Sequence, residues 1–160
     1  MLGVVLLFVG IVLINNGLCG LLKVEGKAAA AINVMVGFFL VVMNIINAIN
    51  GEYYAAGTGL LFAFTYLFIA ANNIFKLNGK PYGIYCLFVA INTIPCAIIA
   101  GLGGDIAFVV IWLVWGVLWL TGFIECTVEK SLGKFVPYLA IIAGIFTAWV
   151  PGFMMLAGWW

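Results

Sequence analysis

The sequence predicts an all-α integral membrane protein of six transmembrane helices, built as three two-helix hairpin repeats in one domain over residues 1–160. Three observations lead there. The chain is 68% hydrophobic and 7% charged, with a mean hydropathy of +1.33. Soluble domains carry about 25% charged residues, and 160 residues could not hide this much apolar surface from water. The apolar stretches are long and apolar on every side, without the alternation of barrel strands, so they are helices. Finally, Lys-x-x-Gly-Lys occurs at Lys23-Val24-Glu25-Gly26-Lys27, Lys76-Leu77-Asn78-Gly79-Lys80 and Lys130-Ser131-Leu132-Gly133-Lys134, spaced 53 and 54 residues apart. These copies hold every lysine, and there is no arginine. A fixed period of this size marks a repeated structural unit, here about 1–53, 54–106 and 107–160.

A helix rises about 1.5 Å per residue, so a core about 30 Å thick needs about 20 residues. Six spans fit, near 2–21, 28–49, 57–75, 82–101, 106–126 and 135–157. The first is apolar from its second residue and lacks a basic leader and a cleavage site, so it reads as a retained span. Short connections make sequential helices antiparallel, and each repeat a hairpin. The first, third and fifth loops are the lysine loops. The second, Asn50-Gly51-Glu52-Tyr53-Tyr54, and the fourth, Leu102-Gly103-Gly104-Asp105, each carry one acid and no base. The positive-inside rule therefore puts the lysine loops in the cytoplasm and both termini outside. The glycine of each lysine loop is expected to take the left-handed conformation that ends a helix. The lysines suit the negative end of the helix dipole and can snorkel to headgroups. A phosphate loop is excluded, because Ala28 and Pro81 stand where Ser or Thr is needed.

The inventory of reactive groups is short. There is no histidine, the one serine is Ser131, and no span holds paired carboxylates. The sequence thus predicts no catalytic residue and no enzyme. Cys19, Cys86, Cys96 and Cys126 form no C-x-x-C pair and read as buried free thiols, so no metal site and no cofactor are expected. Without a basic arm, nucleic acid is no partner; membrane lipid is. Ion-coupled transport leaves ionisable residues within spans. Only Glu125 qualifies, and it reads as an interfacial acid that pairs with a lysine or caps a backbone group. This shortage of charge suits a passive path for a neutral solute. Three stripes stand out. Phe108, Trp112, Trp115 and Trp119 step by four, three and four along the fifth span, which puts them on one face. Phe62 and Tyr66 are one turn apart in the third span, and Leu2, Leu6, Val9 and Leu13 share a face of the first. Lipid-exposed tryptophan favours the interface; Trp115 and Trp119 lie deeper, so they face protein or a cavity. Helix packing and the lining of a pore are the two readings of these stripes.

The stretches Met1-Leu2-Gly3 through Leu13, Gly59-Leu60-Leu61-Phe62 through Leu67, Phe88-Val89-Ala90-Ile91-Asn92-Thr93, and Ile111-Trp112-Leu113 through Leu120 carry a resemblance. So do Phe123-Ile124-Glu125, Leu132-Gly133-Lys134-Phe135 and Thr147-Ala148-Trp149. Across essentially its whole length the chain resembles the bacterial urea channel and amide transporter family. The resemblance implies three hairpins making six spans, and protomers that assemble as a homo-hexamer in the bacterial inner membrane, each with its own pore. It implies that Leu2, Leu6, Phe62, Leu118 and Trp119 form a cytoplasmic constriction, and that Val9, Leu13, Tyr66, Phe108, Trp112 and Trp115 line the path further along. The charge-derived topology puts Leu2 outside and Trp119 nearer the cytoplasm, so the two sources share a lining set and differ on its depth order. Asn92 and Glu125 match motif positions and are candidates for polar support. Two features depart from the acid-gated members. Their long, histidine-bearing first outer loop is here a few residues, and the carboxylate of their last span is matched by Ala143.

The expectation is a passive urea channel, not acid-gated, that supplies a cytoplasmic urease. The alternative is a channel for short aliphatic amides such as acetamide, feeding an amidase. A different class is a non-transporting membrane scaffold whose stripes only pack. Urea is small, planar and neutral. A slot of aromatic faces can hold its plane and meet its N–H groups weakly, binding well enough to enter and loosely enough to leave.

Overall fold

The computed structural model describes residues 1–160 and is entirely helical, without a strand. The helices are α1 (Leu2–Leu22), α2 (Gly26–Ile49), α3 (Tyr53–Phe75), α4 (Lys80–Leu102), α5 (Ile106–Cys126) and α6 (Phe135–Leu156). Each is long and apolar enough to cross a bilayer, so the chain is a multi-pass membrane protein. The first four helices run a little longer than hydropathy suggests, most of all α3, while α5 and α6 keep close to the expected bounds. Tyr53, Tyr54, Ala55 and Ala56 are all helical, which shrinks the second loop to Asn50–Glu52. At the equivalent start of α5, Asp105 accepts the Phe108 N–H at 2.9 Å. An acid there satisfies an orphan donor at the positive end of the helix dipole.

α6 departs from the uniform helix the sequence predicts. Gly144–Trp149 winds as a π-helix between two α-helical segments. Pro151 has no N–H to donate to the carbonyl of Thr147. Just before it, the Val150 N–H reaches back five residues to the Ile145 carbonyl, so the wider turn carries the backbone past the proline.

The chain folds as two compact units, Met1–Leu77 with Ala140–Trp160, and Asn78–Leu139. In the first, α2 packs along α3, and α1 packs on α2 and on the α6 segment from Ala140 onward. Backbones meet where α1 crosses α6. A Cβ added at Gly10 would lie 2.7 Å from the Trp149 nitrogen, and one at Gly152 would lie 2.8 Å from the Leu7 nitrogen. Small residues permit such approaches in membranes; a larger side chain would overpack the crossing, at about 1–3 kcal/mol. In the second unit α4 packs along α5, where Gly122 admits the Cys86 sulfur to within 2.8 Å of its missing Cβ.

The most extensive packing within each unit thus spans an acidic turn, joining α2 to α3 and α4 to α5, whereas the sequence repeat is centred on the lysine loops. Across the first lysine loop, α1 and α2 are tied by a reciprocal amide pair. Asn16 Nδ2 donates to Asn33 Oδ1 at 2.9 Å, and Asn33 Nδ2 donates to Asn16 Oδ1 at 2.7 Å.

The repeat is written into the helix ends. α2, α4 and α6 each close on a left-handed glycine, Gly51, Gly104 and Gly158, with φ of 81°, 79° and 72°. In each, the next N–H reaches back five residues: Glu52 to Asn47 O (2.9 Å), Asp105 to Ala100 O (2.9 Å) and Trp159 to Met154 O (2.8 Å). These are three copies of the same Schellman-type cap.

The lysine loops turn differently from expectation. The left-handed residue is the first lysine in two of them, Lys23 (φ 54°) and Lys76 (φ 52°); in the third, both Glu129 (φ 61°), just before the first lysine, and Gly133 (φ 61°) are left-handed. α1 and α3 run right up to these lysines, so the reversal falls one residue past the helix and not at Gly26 or Gly79. A non-glycine residue pays about 1–2 kcal/mol for this conformation. At Lys23 the cost is offset by the Val24 N–H bonding to Cys19 O at 2.9 Å.

Candidate functional site

The tryptophan stripe is the buried face of α5. Trp112, Trp115 and Trp119 are 7%, 3% and 6% exposed, and Phe108 is half-buried at the start of the helix. The exposed residues Ile106, Val110, Leu113, Val117 and Leu120 fall on the opposite side, as 100° per residue requires. The rings of Trp112 and Trp115 meet edge to face, with centroids 5.1 Å apart and planes at 87°, an arrangement their quadrupoles favour. Leu118 is half-buried beside the stripe. This face offers flat apolar surface and indole N–H groups and carries no ionisable group.

In the other unit, Phe62 and Tyr66 are buried on α3, and Leu6, Val9 and Leu13 are buried on α1. Leu2 sits exposed at the first turn of α1. The three stripes share one register. Adding the 53-residue period to Leu13 gives Tyr66 and then Trp119; to Val9, Phe62 and then Trp115. The same step takes Leu6 to Gly59 and Trp112, and Leu2 to Ala55 and Phe108. Ten of the eleven positions expected to line a path therefore belong to four repeat-related sets, Leu118 being the exception. Ala55 and Gly59 complete those sets. Composition and hydropathy gave no reason to select such small residues, but the repeat period points straight to them.

Threonine side chains in the spans, and Asn92, turn back on the helix that bears them. Thr65 Oγ1 donates to Leu61 O (2.7 Å), Thr93 to Ala90 O (2.7 Å) and Thr121 to Leu118 O (2.6 Å). Asn92 is half-buried and donates to Phe88 O at 2.8 Å. Glu125, at the last turn of α5, accepts the Leu132 N–H at 2.9 Å and so ties the following loop to the helix end. Lys80 pairs instead with Glu129, at 3.3 Å. No group of His, Cys, Asp and Glu side chains is placed to hold a metal, and all four cysteines are free thiols. Three buried amide atoms lack a hydrogen-bond partner: Asn15 Nδ2, Asn47 Oδ1 and Asn72 Oδ1.

Comparison with known proteins matches this architecture over its full length. The model of the AmiS/UreI family transporters matches residues 1–159. An acid-activated urea channel of Helicobacter pylori is 44% identical over 194 aligned positions that take in all of both chains. A putative amidate substrates transporter protein of Mycolicibacterium smegmatis is 36% identical, covering 99% of this chain and 78% of its own. The cryo-EM structure of the Helicobacter pylori urea channel in its closed state superposes with a TM-score of 0.94 at 47% identity, over 100% of both chains. A crystal structure of the urea channel from the same organism gives 0.93, over 100% of this chain and 99% of the other. Six helices in the same arrangement, and sequence identity spread along the whole chain, have one reading: this protein belongs to the AmiS/UreI family of transporters.

Proposed function

We propose that the chain is a passive urea channel of the bacterial cytoplasmic membrane and forms a single channel domain. The observation that carries this reading is the buried, uncharged aromatic face of α5, in register with buried stripes on α1 and α3. In it Leu2, Leu6, Val9, Leu13, Phe62, Tyr66, Phe108, Trp112, Trp115, Leu118 and Trp119 face the permeating solute. Flat apolar walls admit a planar neutral molecule, while ions meet nothing that replaces their hydration. Asn92 and Glu125, each bonded to backbone, support helix geometry and do not contact the solute. The urea channels of Helicobacter pylori among the relatives support urea as the solute. Protomers assemble as a hexamer with one path each, and the urea taken up feeds a cytoplasmic urease. The relative named for amidate substrates favours a second reading, uptake of short aliphatic amides.

Orientation follows from charge. The lysine loops lie in the cytoplasm and the acidic turns outside, as the bias of all six lysines to one side requires. In a background lacking the native cysteines, an impermeant thiol reagent added to intact cells should label Glu52→Cys and leave Lys80→Cys untouched; the reverse pattern would invert the topology.

The channel is open without acid. Histidine is the one side chain whose ordinary pKa lies between pH 5 and 8, and none is present. The alignment to the acid-activated relative has 194 positions against 160 residues here, so that protein carries at least 194 − 160 = 34 residues this chain lacks. Urea flux into proteoliposomes should change by less than about twofold between pH 5 and 7.5. A tenfold rise on acidification would reject the ungated reading.

The wall itself is tested at Trp119. A pure packing residue of this size costs about 3–5 kcal/mol when cut to Ala, and its loss shows in the yield of folded protein. A wall residue shows in selectivity. Flux of urea and of thiourea is measured per unit of purified, monodisperse Trp119→Ala protein. The proposal expects the preference for urea over thiourea to shrink; unchanged fluxes per protein with a lower yield would make the stripe packing alone.

A further inference from the structure

Asn44 and Asn47 stand about one turn apart near the acidic-turn end of α2, 2% and 7% exposed. Asn44 Nδ2 donates to Leu40 O at 2.7 Å, and Asn47 Nδ2 donates to Asn44 Oδ1 at 3.3 Å. The pair is held in place, yet Asn47 Oδ1 is buried and accepts nothing. An amide carbonyl left unpaired inside a membrane-embedded bundle is costly. The span threonines and Asn92 donate to carbonyls of their own helix. Asn47 instead uses its donor on Asn44 Oδ1, and its own oxygen is left without a donor.

The neighbouring helix explains what this oxygen is near. Gly59 on α3 has no side chain, and a Cβ added there would fall on the Asn44 amide. In the repeat register Gly59 stands where α1 has Leu6 and α5 has Trp112. At Gly59 the second repeat thus has no side chain, and the Asn44 carboxamide of α2 fills the space where the other two repeats have an apolar side chain. The approaches of Gly37 to Leu67 and of Asn44 to Gly59 set the antiparallel register of α2 and α3, which puts Asn47 level with Ala56. Beside it is Ala55, the small counterpart of Leu2 and Phe108. Where the other two stripes are bulky and apolar, this one is thin and backed by an amide pair with a free acceptor.

We propose that Asn47 Oδ1, positioned by Asn44, accepts a hydrogen bond from an N–H of the permeating solute and is a specificity-determining residue for planar, neutral solutes bearing an NH₂ group. The inference rests on the urea-channel reading. One neutral acceptor fits a channel: it rewards an N–H donor, is too weak to hold the solute long, and gives a cation no cage. The isosteric pair Asn47→Thr and Asn47→Val tests it. The two side chains have the same shape, but only threonine keeps an oxygen. Urea flux is measured per unit of monodisperse protein in proteoliposomes. The Val variant should conduct about 2- to 10-fold less than the Thr variant, the worth of one net hydrogen bond. Equal flux through both would overturn the assignment and leave Asn47 a packing residue. If either variant fails to fold, Asn47→Ser against Asn47→Ala makes the same comparison. The wild type separates the two levels: no protein-dependent urea flux would sink the channel reading itself, whereas a conducting wild type with equal variants would sink only the role of Asn47.

Discussion

Hydrocarbon offers no hydrogen bonds, and every feature of this chain answers to that. Backbone groups are satisfied inside helices. Helix ends are closed by the same glycine cap at Gly51, Gly104 and Gly158. Threonines bond to carbonyls of their own helix, and asparagines pair with each other, as Asn16 does with Asn33. After this internal settlement the spans hold no histidine and no lysine outside the loop segments. A path through such a protein must work with aromatic faces and a few neutral amides, which selects for small neutral solutes and against ions.

The three repeats keep their frame and differ in their stripes. The caps recur at one period, and so do Val9, Phe62 and Trp115, or Leu13, Tyr66 and Trp119. Along these two sets the side chain grows from aliphatic to aromatic to indole. The α1 stripe is aliphatic, the α3 stripe is broken by Gly59 with an amide behind it, and the α5 stripe is a run of tryptophans. α6 breaks the frame as well, with its π-helical stretch between Ala143 and Val150 against Gly10 of α1.

Much of this was legible in the sequence, because hydropathy and a 3.6-residue period act through the solvent and need no knowledge of partners. The six spans and the burial of Trp112, Trp115 and Trp119 come from such signals, and the three repeats from the 53-residue spacing of the lysine motifs. What stayed hidden depends on particular neighbours. That α2 packs closely along α3 follows from glycines meeting Leu67 and Asn44, and nothing in α2 alone announces it. Lys23 and Lys76 take the left-handed turn expected of Gly26 and Gly79, because α1 and α3 stay helical up to Leu22 and Phe75 and reverse at the next residue. The π-helix at Gly144–Trp149 could have been suspected from Pro151, but a proline as readily kinks a helix. Asn47 looked like one polar residue among many until its oxygen proved to have no partner.

The central claim is that a chain with so few charges carries a neutral solute down its gradient without coupling to any ion. The most direct measurement is the initial rate of urea entry into proteoliposomes at membrane potentials of zero and about ±100 mV, where each unit of coupled charge would add about 2.3 kcal/mol. The account predicts one rate at all three potentials, proportional to the urea gradient and unaffected by collapsing a proton gradient. A rate that follows the potential, or urea accumulated above its external concentration, would contradict it.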